Sequence, residues 1–301
     1  MKSKINFQFP NQVTPRHIQS IFLKLEYGIQ YSSLELREIL RSSLDVEGKE
    51  IVNLNIDAWD AIGLGKRKTV KTQGKVIFFS LTTLGKQFQE TYSTNEELFY
   101  ELMHFLFYST WKRSRYAKFG KFWLYSRVCD ILWDTAPSDM DSYNLTGILQ
   151  HEAQDEFPLH NPKFPVQSIS AVFPWLGALV PPFLERRTTR SILTSKKRNY
   201  CSPQLFHLAL DSIYNQKQLK YGTSMAIGDE EINSVCRVCL LDEGQFWEMA
   251  DRTKMMIKGI EIRKGQYSTS LAIEQPPQWI NLPDFSVTTE DISQNMGEDA
   301  E

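Results

Sequence analysis

The chain opens with an alternation of apolar and polar positions that changes period several times. Ile18, Phe22, Leu25 and Ile29 recur at helical spacing. Pro15 suits a first helical turn and Gly28 a C-terminal stop, so the spacing predicts a helix over Pro15–Tyr27. A second helix is predicted from Ser32 or Ser33, because Ser32-x-x-Glu35 has the form of a capping box. Leu36, Ile39 and Leu40 give it an apolar face. A third is expected after Asn55, read as an N-cap, with Ile56, Trp59 and Ile62 inward and Gly63 and Gly65 as its end. The period then shortens to two. Thr69–Thr72 and Val76–Leu81 read as strands around Gly74, and Thr82–Phe88 starts another helix.

Beyond this region Asn95–Trp133 reads as helical and aromatic, with Leu98, Leu102, Phe105, Leu106 and Tyr108 suited to burial. Pro137–Pro165 is polar and proline-rich and is expected to include a loop. Val172–Leu184 (VFPWLGALVPPFL) is apolar and broken by prolines, which suits buried packing at a junction. Helical patterns return at Ser202–Tyr214, Asp229–Leu241 and Gly244–Met256. A hairpin of Gly259–Arg263 and Tyr267–Ile273 follows, around Lys264-Gly265. The order of the first module is therefore expected a second time. After Pro283 the chain is acidic and is predicted to be a disordered tail.

Helix, helix, helix, hairpin, helix is the order of a winged helix-turn-helix, and the local wording resembles that superfamily. NIDAWDAIGLG (55–65) looks like its third helix and VIFFSLTTLGKQF (76–88) like its second wing strand and following helix. The expectation is a mainly α protein with short β-hairpins, an α+β fold. It is divided into an N-terminal winged helix over 1–93, a helical middle region with a basic linker over 94–199, a second winged helix over 200–283, and an acidic tail over 284–301. In this superfamily the third helix enters the major groove. Here that helix carries Asp57 and Asp60 and no Lys or Arg, which shifts the weight to the wing.

Charge strengthens that shift. The formal net charge is −2, yet three windows, 66–75, 112–127 and 186–198, hold 17 of the 34 Lys and Arg residues and no acid. The candidate nucleic-acid contacts are Lys66, Arg67, Lys68, Lys71 and Lys75 in the first window, and Lys112, Arg113, Arg115, Lys118 and Lys121 in the second. The third window, read as a linker, supplies Arg186, Arg187, Arg190, Lys196, Lys197 and Arg198. Lysines and arginines that meet phosphates release condensed counterions, fixing position without reading sequence. Trp111, Tyr116, Phe119, Phe122, Trp123, Tyr125 and Trp133 lie among the second window's charges. They suit either core packing or stacking on unpaired bases.

Enzyme chemistry leaves little trace. Gly63-Leu64-Gly65-Lys66 is a fragment of a phosphate loop, and His151-Glu152 lacks the second His of H-E-x-x-H. His151, Glu152, Asp155, Glu156 and His160 cluster in sequence but read as a solvated stretch. Cys236-x-x-Cys239 has no second pair, so partly buried structural thiols are expected rather than a zinc or redox site. No catalytic residue, metal or cofactor is predicted. With no run of about 18 apolar residues and a polar Met1–Gln12, the expectation is a soluble, cytoplasmic protein without membrane contact.

Four segments also resemble a prokaryotic family of unknown function whose genes neighbour DNA-phosphorothioation and phosphoadenosine-phosphosulfate-reductase-like genes in defence clusters. They are Leu64-Gly65-Lys66, LTTLGKQF (81–88), FLFYSTW (105–111) and WLGALVPPFL (175–184). That resemblance implies an accessory role in a DNA-modification or phage-defence system. The expected partner is duplex DNA, with further protein partners in a complex. The alternatives are an adaptor whose winged helices dock proteins and a metal-dependent nuclease.

Overall fold

The computed structural model describes residues 7–44, 49–71, 75–114, 120–158, 162–186, 193–264, 269–280 and 282. The fold is mainly α with small antiparallel sheets, an α+β fold. Residues 72–74 and 265–268 at the two hairpin tips, and the acidic tail, lie outside the described residues. Among the described residues no helix is long and apolar enough to cross a membrane.

The first module runs α1 (Pro15–Ser20), β1 (Gln30–Ser32), α2 (Ser33–Leu44), α3 (Lys49–Ala61), β2 (Gly65–Lys71) and β3 (Lys75–Leu81), in sheet order β1-β3-β2. Thr14 caps α1 by accepting from the His17 amide at 3.3 Å. The expected helix to Tyr27 is broken at Ile21, and a 3-10 turn, Phe22–Lys24, replaces it. The break places Phe22 against Trp59, ring centroids 5.4 Å apart. It frees the carbonyls of Phe22 and Leu25, and Gln89 Nε2 donates to both at 2.7 Å. The Ser32–Glu35 capping box forms as expected. Glu35 Oε2 accepts from the Ser32 amide (2.6 Å) and hydroxyl (2.7 Å), and these bonds lower the Glu35 pKa.

α3 starts six residues before Asn55, which is no cap. It is buried inside the helix, and its Nδ2 donates to Ile51 O at 2.9 Å and Gln12 O at 3.0 Å. Gly63, at φ +80°, turns the chain out of α3. Two close approaches then explain LGK and LTTLG. A Cβ on Gly65 would lie 1.9 Å from the Phe79 ring, and one on Gly85 would lie 2.0 Å from Leu64 O. Thr82 completes the joint, capping the Gly85 amide at 3.1 Å while donating to Gly63 O at 2.6 Å. α4 (Thr83–Thr94) is thereby held against the α3–β2 turn.

α5 (Glu96–Ser114) and α6 (Gly120–Thr135) form the middle of the core. Both are buried on nearly every side, as expected of helices without a continuous polar face. Phe107 stacks on Phe122, centroids 5.9 Å apart, with Phe9, Tyr125 and Trp175 around them. The centre of the expected loop region is instead α7 (Ser142–Glu156), capped by Asp141 at 2.7 Å and anchored by Leu145, Leu149 and Ala153. Two short helices follow, α8 (Val166–Ser170) and α9 (Phe173–Gly177). The third basic window, read as a linker, is strand at both of its described ends. These are β5 (Leu184–Arg186) and β6 (Leu193–Ser195), paired in the order β4-β6-β5 with β4 (Ser138–Met140).

The second module repeats the element order of the first: α10 (Pro203–Gln216), β7 (Met225–Ala226), α11 (Asp229–Cys239), α12 (Phe246–Met256), β8 (Ile260–Lys264) and β9 (Thr269–Ile273), in sheet order β7-β9-β8. It is fastened to the middle by a set of buried polar groups and by the more exposed Arg237–Asp134 pair (2.6 Å). Arg198 pairs with Glu101 and also donates to the carbonyls of Val180 (2.7 Å), Pro181 (2.9 Å) and Cys239 (3.2 Å). Glu101 accepts in turn from the Ser202 amide at 2.8 Å. His104 bonds Val238 O at 2.9 Å, and Trp133 donates to Leu241 O at 2.8 Å.

Candidate nucleic-acid interface

Alternation along β2 sorts its basic residues onto two faces. Arg67 lies opposite Phe79, which is fully buried, so it points toward the module. There it pairs with Asp57 of α3, and its amide donates to Asp60 Oδ1 at 2.9 Å. Lys66 and Lys68 lie opposite Ser80 and Phe78 on the outer face, continued across β1 by Gln30 and Ser32. Both lysines are exposed and have no ion pair among the described residues. They stand two strand steps apart, roughly 6.8 Å.

The two aspartates that make α3 unsuited to base contact therefore have a structural partner in Arg67. They also face the start of α6. Lys121 is buried there, and burial pushes its ammonium down to about 8 against the opposing pull of Asp57 and Asp60. Only Lys49, Glu50 and Asp60 of α3 are fully exposed.

The three basic windows separate under this geometry. Lys121 is 9% exposed and belongs to the interior, so it is withdrawn as a nucleic-acid contact. Arg198 is withdrawn for the same reason, its guanidinium being consumed by Glu101 and three carbonyls. Lys197 is spent on Glu243 at 2.9 Å and lies 3.8 Å over the Trp133 ring. Arg127 is spent on Glu152 (2.8 Å) and Asp130 (3.3 Å). Arg186 and Lys196 are exposed and have no ion pair among the described residues. They flank the small sheet at the far end of α6. From Lys121 to Trp133 the helix climbs roughly 18 Å, so the sheet that carries Arg186 lies at the opposite end of α6 from Lys121. The side chains of Lys71, Lys75, Lys112, Arg113, Arg115, Lys118, Arg187 and Arg190 lie outside the described residues.

The aromatic residues interleaved with the second window are core. Trp111, Phe122, Trp123, Tyr125 and Trp133 are all buried and unavailable for stacking on bases, while Tyr116 and Phe119 lie outside the described residues. Among the described residues no group of three His, Cys, Asp or Glu could hold a metal. On α7, Glu152 accepts from Arg127, Glu156 accepts from Trp123 Nε1 at 2.8 Å, and His151 pairs with Asp155 at 3.1 Å; His160 lies outside the described residues. Cys236 and Cys239 are buried beside Cys201, and burial pushes both thiols up, away from the reactive thiolate.

No family model matches the chain, and no curated protein matches it. Solved structures do. A magnesium-ion-bound crystal structure of SspB is 13% identical, with a TM-score of 0.59, covering 97% of this chain and 94% of its own. A second crystal structure of SspB is 12% identical at the same TM-score, covering 99% and 96%. The chain shares its fold with SspB. The likeness spans both modules and the helical middle, so their arrangement is one that a far-diverged sequence also adopts.

One polar site was not anticipated. His207 of α10 is buried with its Nε2 unpartnered, beside Trp279, and burial lowers its pKa to about 4. The available signal was the i, i+3 spacing of Gln204 and His207, which puts both on one face of a helix.

Proposed function

We propose that the chain is a non-enzymatic accessory protein of a prokaryotic DNA-modification or phage-defence system, and that it meets the phosphate backbone of duplex DNA through β2 and β3. In this reading each α-β-α-α-β-β module is a winged helix, and the first presents its wing. The observation that carries the proposal is the outer face of β2. Lys66 and Lys68 are exposed there and have no ion pair among the described residues, while the neighbouring Arg67 is turned inward onto Asp57. The fold shared with SspB and the family resemblance of the LGK and LTTLGKQF segments support the accessory role. Phosphate contacts of this kind position a protein without choosing a sequence.

A salt titration of duplex binding tests it. Lys66→Ala/Lys68→Ala is expected to lower affinity about tenfold near 0.1 M salt and to reduce the slope of log K against log salt by about 2. Arg263→Ala/Lys254→Ala on the second module is the control and is expected to change neither by more than about twofold. Equal losses in the two double variants would remove the assignment to the first hairpin.

The magnesium in the SspB structure favours a second reading, a metal-dependent nuclease. Incubation of supercoiled plasmid with the protein and magnesium separates the two. The backbone-contact reading expects intact plasmid, and nicking that a chelator abolishes would replace it.

A further inference from the structure

Between α4, the start of α5, α10 and the segment after β9 lies a cavity of about 370 Å³, within the size range of small-molecule sites. His207 lines it and is 3% exposed. Its Nδ1 accepts from Trp279 Nε1 at 3.3 Å. The neutral ring therefore carries its proton on Nε2, and that nitrogen is buried with no hydrogen-bond partner among the described residues. Buried donors in native proteins nearly always have an acceptor, so an unmatched one in a cavity wall marks where an acceptor of a bound molecule fits.

The rest of the lining specifies that molecule. Gln204, three residues before His207 on α10 and half-buried, brings an amide with both a donor and an acceptor, whereas Gln275, exposed at the mouth, already accepts from Gln278 Nε2 at 3.2 Å. Trp279, half-buried, supplies flat apolar surface, and Lys258, exposed, supplies one positive charge. An aliphatic ligand would leave the His207 N–H and the Gln204 amide unmatched. A planar heterocycle with an acceptor nitrogen and a donor–acceptor edge satisfies both, because amides pair bidentately with base edges and bases stack on aromatic rings. An attached phosphate accounts for Lys258. We infer that this cavity binds one nucleoside 5′-monophosphate unit, with the base against His207 and Gln204 and the phosphate toward Lys258. The unit is either a free nucleotide or one nucleotide of a strand. The site is separate from the Lys66–Lys68 face.

Titration of the full chain with AMP, GMP, CMP and UMP, followed by calorimetry and tryptophan fluorescence, tests this. At least one is expected to bind with a Kd below about 1 mM, and Gln204→Leu is expected to weaken it about tenfold. Lys258→Ala is expected to weaken the monophosphate about fivefold and its parent nucleoside not at all. His207→Phe removes the donor and is expected to weaken both. Because that change also breaks the Trp279 bond, the half-buried Gln204 and exposed Lys258 variants, with unchanged unfolding midpoints, carry the decision. Lys66→Ala/Lys68→Ala is expected to leave mononucleotide affinity intact, so loss of duplex binding and loss of this site are distinguishable. Displacement of the mononucleotide by a short single-stranded oligonucleotide would support a strand as the source, and retention would support the free nucleotide. No binding up to about 5 mM, or binding unaltered by Gln204→Leu and Lys258→Ala, would overturn the proposal.

Discussion

The two α-β-α-α-β-β modules have the same element order and the same sheet order, yet they spend their charges in opposite ways. In the first, the ion pairs turn inward: Arg67 of the hairpin closes on Asp57 of α3, and the outer face of β2 keeps Lys66 and Lys68 free of acid. In the second, Arg263 of β8 folds onto Glu261 two residues earlier, at 2.6 Å, so that pair is spent within its own strand. The second module instead places its polar groups where it meets α5 and α6, through Arg198–Glu101, His104–Val238 and Trp133–Leu241. On the proposed reading, one topology serves as a presenting surface at one end of the chain and as an anchored body at the other. The element order decides neither role. The pairing of individual charges decides both.

The anchor is the place to break this comparison with the largest effect. Arg198→Ala leaves the Glu101 carboxylate buried, with only the Ser202 amide to meet it. Removing one partner of a buried pair costs about 3–5 kcal/mol, and denaturant unfolding should show a loss of that size. Substituting both partners by apolar residues of similar volume, Arg198→Met/Glu101→Leu, should recover much of it, since no charge is then stranded. On the first module, Lys66→Ala/Lys68→Ala should shift the midpoint by no more than about 0.5 kcal/mol. A comparable loss there would mean that the hairpin lysines are structural.

Proton uptake probes the same junction at the next smaller scale. Burial lowers the pKa of both His104 and His207 to about 4 from an ordinary 6.5. The unfolded chain therefore binds protons at these sites before the folded one does. Their neutral forms contribute full stability above about pH 6.5, and it is lost as the pH falls toward 4. Each should remove about 2 kcal/mol by pH 4.5. His104→Gln should flatten the stability profile between pH 6.5 and 4.5 by about that amount. An unchanged profile would show that His104 is already protonated in the folded protein or equally buried in the unfolded one.

The sequence carried the repeated order well, because its markers are local. Thr14-Pro15 and Ser202-Pro203 start helices, Ser32-x-x-Glu35 closes a box, and the strand-forming run 76–81 needs no distant partner to be read. The elements that escaped are short or lack an unbroken pattern. β1 and β4–β6 have three residues each. α7 buries only Leu145, Leu149 and Ala153 beneath a polar surface. α1 ends early because Phe22 and Leu25 are claimed by Trp59 and Gln89, a tertiary cause. The candidate contacts failed in the same way. A lysine in a basic run reads alike whether it is solvated or buried, and Glu101, which occupies Arg198, lies 97 residues away. Lys66 and Lys68 differ from Arg67 only by strand parity, which became decisive once β2 was seen to begin at Gly65.

The smallest effect tests the repeat itself. Thr14 and Ser202 hold equivalent positions, each capping the first helix of its module ahead of a proline. Thr14 accepts from His17 N at 3.3 Å and Ser202 from Leu205 N at 3.1 Å. Loss of such a cap costs about 1 kcal/mol, so both Thr14→Ala and Ser202→Ala should lower stability by that order. The two should still differ in kind. α1 has six residues and leads into an irregular turn, whereas α10 has fourteen and is buried along most of its length. Hydrogen exchange in Thr14→Ala should accelerate locally over 15–20, the single short helix that the cap starts, while Gln89 continues to hold the carbonyls of Phe22 and Leu25. In Ser202→Ala, protection over 203–214 should fall only with global stability, because the Ser202 amide remains on Glu101 and the packed face persists. Local opening of α10 without a global change would place the second module on the same footing as the first and undo the distinction between a presenting module and an anchored one.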